Sequence, residues 1–252
     1  MTLSARVIPC LDIRDGEVVK GIRFQELRSA GDPVEAAARY EAQGGDELVV
    51  LDVSATPEGR GHAVDTIRRV RPVLSIPMTV GGGVRQVDDA IRLLEAGADK
   101  VGVNTAAVRR PELIGEIAGR SGAQCMVLAV DAAATSPGTW EVVVESGTRR
   151  TGLDVVDWCA KGASLGAGEI LLTSWDRDGT RLGYDTALVA AVSAAVDVPV
   201  IASGGAATAD HVVAALRAGA SAALVASVLH DGDTTIAAIK AVLAGAGMVV
   251  RP

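Results

Sequence analysis

Short apolar runs alternate along this chain with stretches whose apolar residues recur at helical spacing. The runs are RVIPCLDI (6–13), ELVVLDV (47–53), IPMTV (76–80), KVGVN (100–104), CMVLAV (125–130), EILLTS (169–174), VPVIAS (198–203) and AALVAS (222–227). Each has the length of a strand and is apolar almost throughout, as a strand covered on both faces must be. Between them, Val87, Ala90, Ile91 and Leu94, or Leu188, Ala191, Val192 and Ala195, make the one-sided stripe of an amphipathic helix. GDPVE (31–35) reads as a helix start, with Asp32 as N-cap, Pro33 in the first helical position and Glu35 three residues after the cap. Eight strand–helix units without an obvious linker predict an α/β fold, a single (β/α)8 barrel over residues 1–252.

Part of the pattern occurs twice. DELVVLDVSATPEGRG (46–61) aligns with GEILLTSWDRDGTRLG (168–183), and AGADKVGVNTAAV (96–108) with AGASAALVASVLH (218–230). In TVGGGVR (79–85) and VPVIASGGAA (198–207), Gly82 and Gly83 answer to Gly204 and Gly205, again 122 positions on. Asp12 after the first run and Asp131 after the fifth are 119 apart. The chain therefore reads as two half-barrels, about 1–122 and 123–252. Two connections, 14–31 and 132–151, are long for this architecture and are expected to form hairpins or lids at the barrel mouth.

Barrel active sites gather where strands end. There a glycine turn leading into a helix lets backbone N–H groups approach an anion closely. Gly82-Gly83 beside Asn104-Thr105 makes one such cup, and Gly204-Gly205 beside Ala226-Ser227 makes its copy, which Asp178 and Gly179 are expected to line. Glycines also serve tight turns, so one cup alone is weak evidence; two facing cups suggest a substrate with a phosphate at each end. Asp12 and Asp131, on opposed strands between the cups, are placed for general acid–base work. The bland alternative is that each caps a turn. Lys20, in the first long loop, can reach the mouth or simply face solvent.

Composition removes other readings. Hydrophobic residues make up 49% and aromatics 2%, so Val, Ile, Leu and Ala must fill the core. A net charge of −7 argues against a general nucleic-acid surface. No stretch approaches the roughly 18 apolar residues of a membrane span, and no leader is evident, so a cytoplasmic protein is expected. Cys10, Cys125 and Cys159 form no C-x-x-C pair and read as small buried hydrophobes. His62, His211 and His230 have no ligand spacing, and DRDGT (176–180) lacks the later acidic ligand of a calcium loop, so no metal or other cofactor is expected. Trp140, Trp158 and Trp175 form no stacking stripe; Trp175 is expected to pack near the pocket edge.

RVIPCLDIRDGEVVKG, GDPVE, TVGGGVR, GADKVGVNTAAV, GAGEILLTS, DRDGT and VIASGGA together resemble the cyclase subunits of imidazole glycerol phosphate synthase, in register from about residue 3 to 251. The resemblance implies ammonia-dependent closure of an imidazole ring on a bis-phosphate ribulosyl nucleotide. The products would be imidazole glycerol phosphate and an aminoimidazole carboxamide ribotide. By the same match Asp12 and Asp131 would be the acid–base pair. Gly83, Asn104 and Thr105 would hold one phosphate; Asp178, Gly179, Gly205, Ala226 and Ser227 would hold the other; Lys20 would sit on a mobile loop. A glutaminase partner would dock at the opposite barrel face and supply ammonia through a charged ring of Arg6, Glu47, Lys100 and Glu169, with Asp99 at the interface. Arg23, Ser29, DAAATSP, VLHDGD and Trp175 depart from the usual wording. A paralogous cyclase of a secondary pathway, or the sister phosphoribosyl isomerase on the same scaffold, stays open as an alternative.

Overall fold

The computed structural model describes residues 4–22, 25–55, 58 and 64–251, with the side chains of 20–29 outside the description. Strand β1 (Arg6–Arg14) leads into a hairpin, β2 (Glu17–Ile22) and β3 (Gln25–Gly31), and then α1 (Pro33–Ala42). Next come β4 (Leu48–Asp52), α2 (Val64–Val70), β5 (Met78–Gly81), α3 (Val87–Glu95), β6 (Lys100–Val103), the short α4 (Thr105–Arg109) and α5 (Glu112–Ser121). Strand β7 (Met126–Ser136) opens a second hairpin with β8 (Thr139–Val144) and β9 (Arg149–Asp154), followed by α6 (Val155–Ser164) and β10 (Glu169–Ser174). The chain ends with α7 (Thr186–Ala195), β11 (Val200–Ser203), α8 (Ala209–Arg217), β12 (Ala222–Val225), the one-turn α9 (Ser227–His230) and α10 (Ile236–Gly245).

The parallel strands run β1-β4-β5-β6-β7-β10-β11-β12, and β12 returns to β1 with Arg6 opposite Ala222. This closed ring of eight is the (β/α)8 barrel. All eight strands lie where the apolar runs put them. Strands β5 and β11 start two residues late, and β7 continues past its run because it becomes one arm of the hairpin. Both long connections are hairpins, as expected.

Two layers of core follow from the two periodicities. Ile8, Cys10, Val49, Val127, Leu171, Ile201, Ala222 and Leu224 form a cluster made of strand residues alone, which is the filling of the barrel. The larger cluster mixes strand and helix residues and lies between sheet and helices. Alternation along β1 thus sends Arg6, Ile8, Cys10 and Asp12 inward from floor to mouth, while Val7, Leu11 and Ile13 pack outward. The helix stripes need two corrections. Leu93, outside the expected stripe, is buried, whereas Ala195 is exposed, because α7 ends there. Cys125 is only partly buried, since it sits in a turn before β7.

Positions 122 apart share backbone as well as sequence. Asp32 and Asp154 both cap a helix, each accepting from the N–H groups two and three residues on. Gly97 and Gly219 have φ of +115° and +112°, and a side chain on either would strike residue 71 or its counterpart 193.

Candidate active site

Asp12 and Asp131 end the inward rows of β1 and β7, the first and fifth strands of the ring, and so face each other across the mouth. Both are only partly exposed. Burial raises each carboxyl from its ordinary value of 3.8 to about 7, and the charge of Asp178 pushes both the same way. Their supporting donors differ. Asn104 Nδ2 donates to Asp131 Oδ2 at 2.9 Å, while Asp12 Oδ1 receives the thiol of Cys10, at 3.6 Å. Both bonds favour the ionised form and partly offset burial.

The glycines of both cups adopt left-handed backbone: Gly82 at +95°, Gly83 at +72°, Gly204 at +91° and Gly205 at +95°. Close approach compounds the constraint. A Cβ on Gly82 would lie 2.2 Å from the carbonyl of Asp52, and one on Gly204 would lie 2.8 Å from that of Ser174, the residue 122 positions after Asp52. Beside them, α4 and α9 start from Asn104 (φ −115°, ψ −87°) and Ala226 (φ −128°, ψ −82°), with no side-chain cap on either. The same unusual turn therefore presents an uncapped first helical turn at both cups.

Gly82, Gly83, Asn104 and Thr105 share a cavity of about 870 Å³ with Asp131. It reaches down to Ala129 and Leu171 at the top of the barrel filling. Asp178, Gly179, Gly204, Gly205, Ala226 and Ser227 line a narrower niche of about 40 Å³. Every sequence-predicted cup residue is thus in its expected group. The side chain of Lys20, and His62, lie outside the described residues.

The hairpin of β8 and β9 forms a wall of the larger cavity. The N–H of Glu145 donates to Thr105 Oγ1 at 3.0 Å, and the Glu145 carboxylate pairs with Arg109 at the end of α4, 2.5 Å away. Trp175 packs against Gly147 in the hairpin turn, where any side chain would strike its ring. Trp140 Nε1 donates to Asp185, the cap of α7. Sequence reasoning missed these contacts and the Cys10 thiol. Alternation along β1 puts Cys10 on the face of Asp12, and that signal could have found it.

At the floor, Arg6 bonds Glu47 and Glu169 at 2.6 Å each, and Lys100 bonds the same two carboxylates at 2.9 and 2.8 Å. The four close an alternating ring. Burial works against the charge on Glu47, but Arg6 and Lys100 outweigh it and hold the carboxyl below its ordinary range. Asp99 stands outside the ring, accepting from Arg71 and from the N–H of Met78. A further buried pair that the sequence did not signal, Lys240–Asp46 at 2.9 Å, ties α10 to the segment just before β4.

Among the described residues no helix is long and apolar enough to cross a membrane. Residues 6–235 match the family model for histidine biosynthesis proteins. Over its whole length the chain is 57% identical to imidazole glycerol phosphate synthase subunit HisF of Streptomyces avermitilis, also matched over its whole length. It is 54% identical to the protein of the same name from Mycobacteroides abscessus, with both chains fully covered. Against the one from Synechococcus sp. it is 55% identical over 99% of this chain and 97% of that one. With the barrel, both cups and the opposed aspartates in place, the chain belongs to the HisF family of imidazole glycerol phosphate synthase subunits.

Proposed function

We infer that this chain is the cyclase subunit of imidazole glycerol phosphate synthase and that Asp12 and Asp131 are its acid–base pair. The observation that carries the reading is two opposed carboxylates poised near neutrality between two glycine cups. Ring closure by ammonia on a carbonyl-bearing bis-phosphate must expel water and an amine, so protons must both arrive and leave. A carboxyl with a pKa of about 7 is part protonated at neutral pH, and two of them supply an acid and a base together.

In this reading Gly82, Gly83, Asn104 and Thr105 hold one phosphate, and Gly179, Gly204, Gly205, Ala226 and Ser227 hold the other. Thr105 Oγ1 already accepts a hydrogen bond from Glu145, which leaves its proton to donate to a phosphate oxygen. Asp178, placed among the cup residues by the sequence, also bears electrostatically on both catalytic carboxyls. Lys20 would act from the first hairpin. The floor ring of Arg6, Glu47, Lys100 and Glu169 serves as the ammonia gate, and a glutaminase subunit docks around it, near Asp99. We read residues 1–252 as one barrel domain of two half-barrel copies, working in the cytoplasm.

The test is turnover of the ribulosyl bis-phosphate with ammonium salt in mildly alkaline buffer, where more of the nitrogen is free ammonia and no glutaminase is needed. Imidazole glycerol phosphate should form, and should vanish in Asp12→Asn and Asp131→Asn. A folded chain that binds the substrate and makes no product would contradict the reading.

A further inference from the structure

The narrow niche contains one group that the cyclase reading does not use. Among the described residues that line it, Arg181 is the sole cation, set beside Gly204, Gly205 and Ser227. Its backbone is left-handed, at φ +62°, in a loop where Gly179 and Gly183 adopt the same region at +71° and +90°. A glycine would hold this turn without strain, so the arginine side chain must be wanted for itself. Its guanidinium donates to Asp231 Oδ2 at 2.7 Å and pairs with Asp233 Oδ2 at 2.9 Å, one carboxylate on each terminal nitrogen. Both aspartates lie in the turn that follows α9, the helix whose first residue, Ser227, belongs to the cup.

Neutralising one guanidinium needs one carboxylate. Two carboxylates on separate nitrogens fix the plane of the group as well. Among the described residues these pairs take two of its five N–H donors, leaving three for an anion at the cup that Arg181 lines. An exposed arginine tethered only for stability would contribute little, since pairs as open as these are screened by water.

Resting on the cyclase reading, we propose that Arg181 is a phosphate ligand of the second cup, held in register by Asp231 and Asp233, and that it sets affinity for the substrate end bound there. Backbone N–H groups bind any anion that fits. A planar, fully charged fork favours the dianionic phosphate terminus.

Product inhibition separates the two cups, because each product carries one of the two phosphates. Arg181→Ala should weaken inhibition by one product, whichever occupies the niche, by about tenfold to a hundredfold, the loss expected for a charge-assisted hydrogen bond. Inhibition by the other product and kcat at saturating substrate should stay within about twofold of wild type on the same grounds. Asp231→Asn combined with Asp233→Asn should weaken the same product by a smaller factor, and Arg181→Ala should cost less in that background than in wild type. Should Arg181→Ala fail to fold, Arg181→Lys keeps the charge without the fork and should weaken that same product. Unchanged inhibition by both products, or an equal loss for both, in a variant with a wild-type thermal melt would overturn the proposal. If the wild-type chain binds neither product, the cyclase reading fails by itself. Titration with inorganic phosphate then decides on Arg181: weaker binding by the variant supports its role, equal binding refutes it.

Discussion

At the first cup an asparagine supports the neighbouring aspartate; at the second, the equivalent position is Ala226, which has no side-chain donor, and Asp12 turns to a thiol instead. The latches beside the cups reverse their polarity in the same way. Arg109 at the end of α4 is held by Glu145 from the β8–β9 hairpin, whereas Asp231, 122 positions after Arg109, holds Arg181 from the loop after β10. Glycine conformations, close approaches and helix-start dihedrals match between the halves, while the polar side chains around them do not. Backbone packed this closely around the glycine turns tolerates almost no change, because a single Cβ would collide with a carbonyl. Side chains that tune the cradle are free to diverge.

The two aspartates are the point at which the halves should still act alike. Asp12→Asn and Asp131→Asn should each lower kcat by about 10²- to 10⁴-fold, the usual worth of general acid–base catalysis, with little change in KM. Ammonium-dependent steady-state kinetics would check this, and a much smaller loss at one site would break the equivalence. Stability should move the other way. The folded chain holds protons on both carboxyls up to about pH 7, whereas the unfolded chain releases them near 3.8. These two groups therefore make wild-type stability fall as pH rises from about 4 through 7. Each asparagine variant should lose its share of that decline and melt higher than wild type in alkaline buffer, though not at low pH.

Equivalence should also hold at the floor. Glu47 and Glu169 each accept from both Arg6 and Lys100. Glu47→Gln or Glu169→Gln leaves the ring with unpaired positive charge, at a cost of about 3 kcal/mol in either case. Urea denaturation should give the same loss for both, and clearly unequal losses would show that the ring is not shared evenly.

The supporting donors are where the halves should part. Removing a donor from a carboxylate raises its pKa, so Asn104→Ala should move one limb of the pH–rate profile upward by about one unit. Cys10→Ala should move its limb by less, since a thiol at 3.6 Å is a weaker donor than an amide at 2.9 Å. No shift in either variant would mean that burial and Asp178 alone set both carboxyls.

The difference in legibility between barrel and rim has the same physical origin. Strands, hairpins, cups and opposed aspartates were readable because period-2 and period-3.6 patterning and glycine doublets are local in sequence. The family resemblance supplied the floor ring, whose members the structure then joined. Arg181 with Asp231, Arg109 with Glu145, and Trp175 with Gly147 were not readable. Each pair joins two loops that carry no periodicity, and its partners lie tens of residues apart. Cys10 lies between these cases: alternation gives its face, but not its distance from Asp12. Lys240–Asp46 spans 194 residues and had no local signal at all.

The smallest expected effect belongs to the first-cup latch, and it bears directly on the contrast between the cups. Arg109 and Glu145 are 57% and 31% exposed at the side chain, so their attraction is screened and worth no more than about 1 kcal/mol. Arg109→Ala should therefore lower Tm by no more than about 4 °C, with less difference from wild type in high salt. Its effect on substrate KM should be only about twofold, well short of the loss in Arg181→Ala, because Arg109 is the more exposed, at 57% against 44%, and faces a cavity of about 870 Å³ rather than a niche of about 40 Å³. Measuring the two variants side by side holds the residue type constant and changes only its surroundings. If Arg109→Ala raised KM as much as Arg181→Ala, the tight niche would confer no advantage, and the divergence of the two rims would carry no functional consequence.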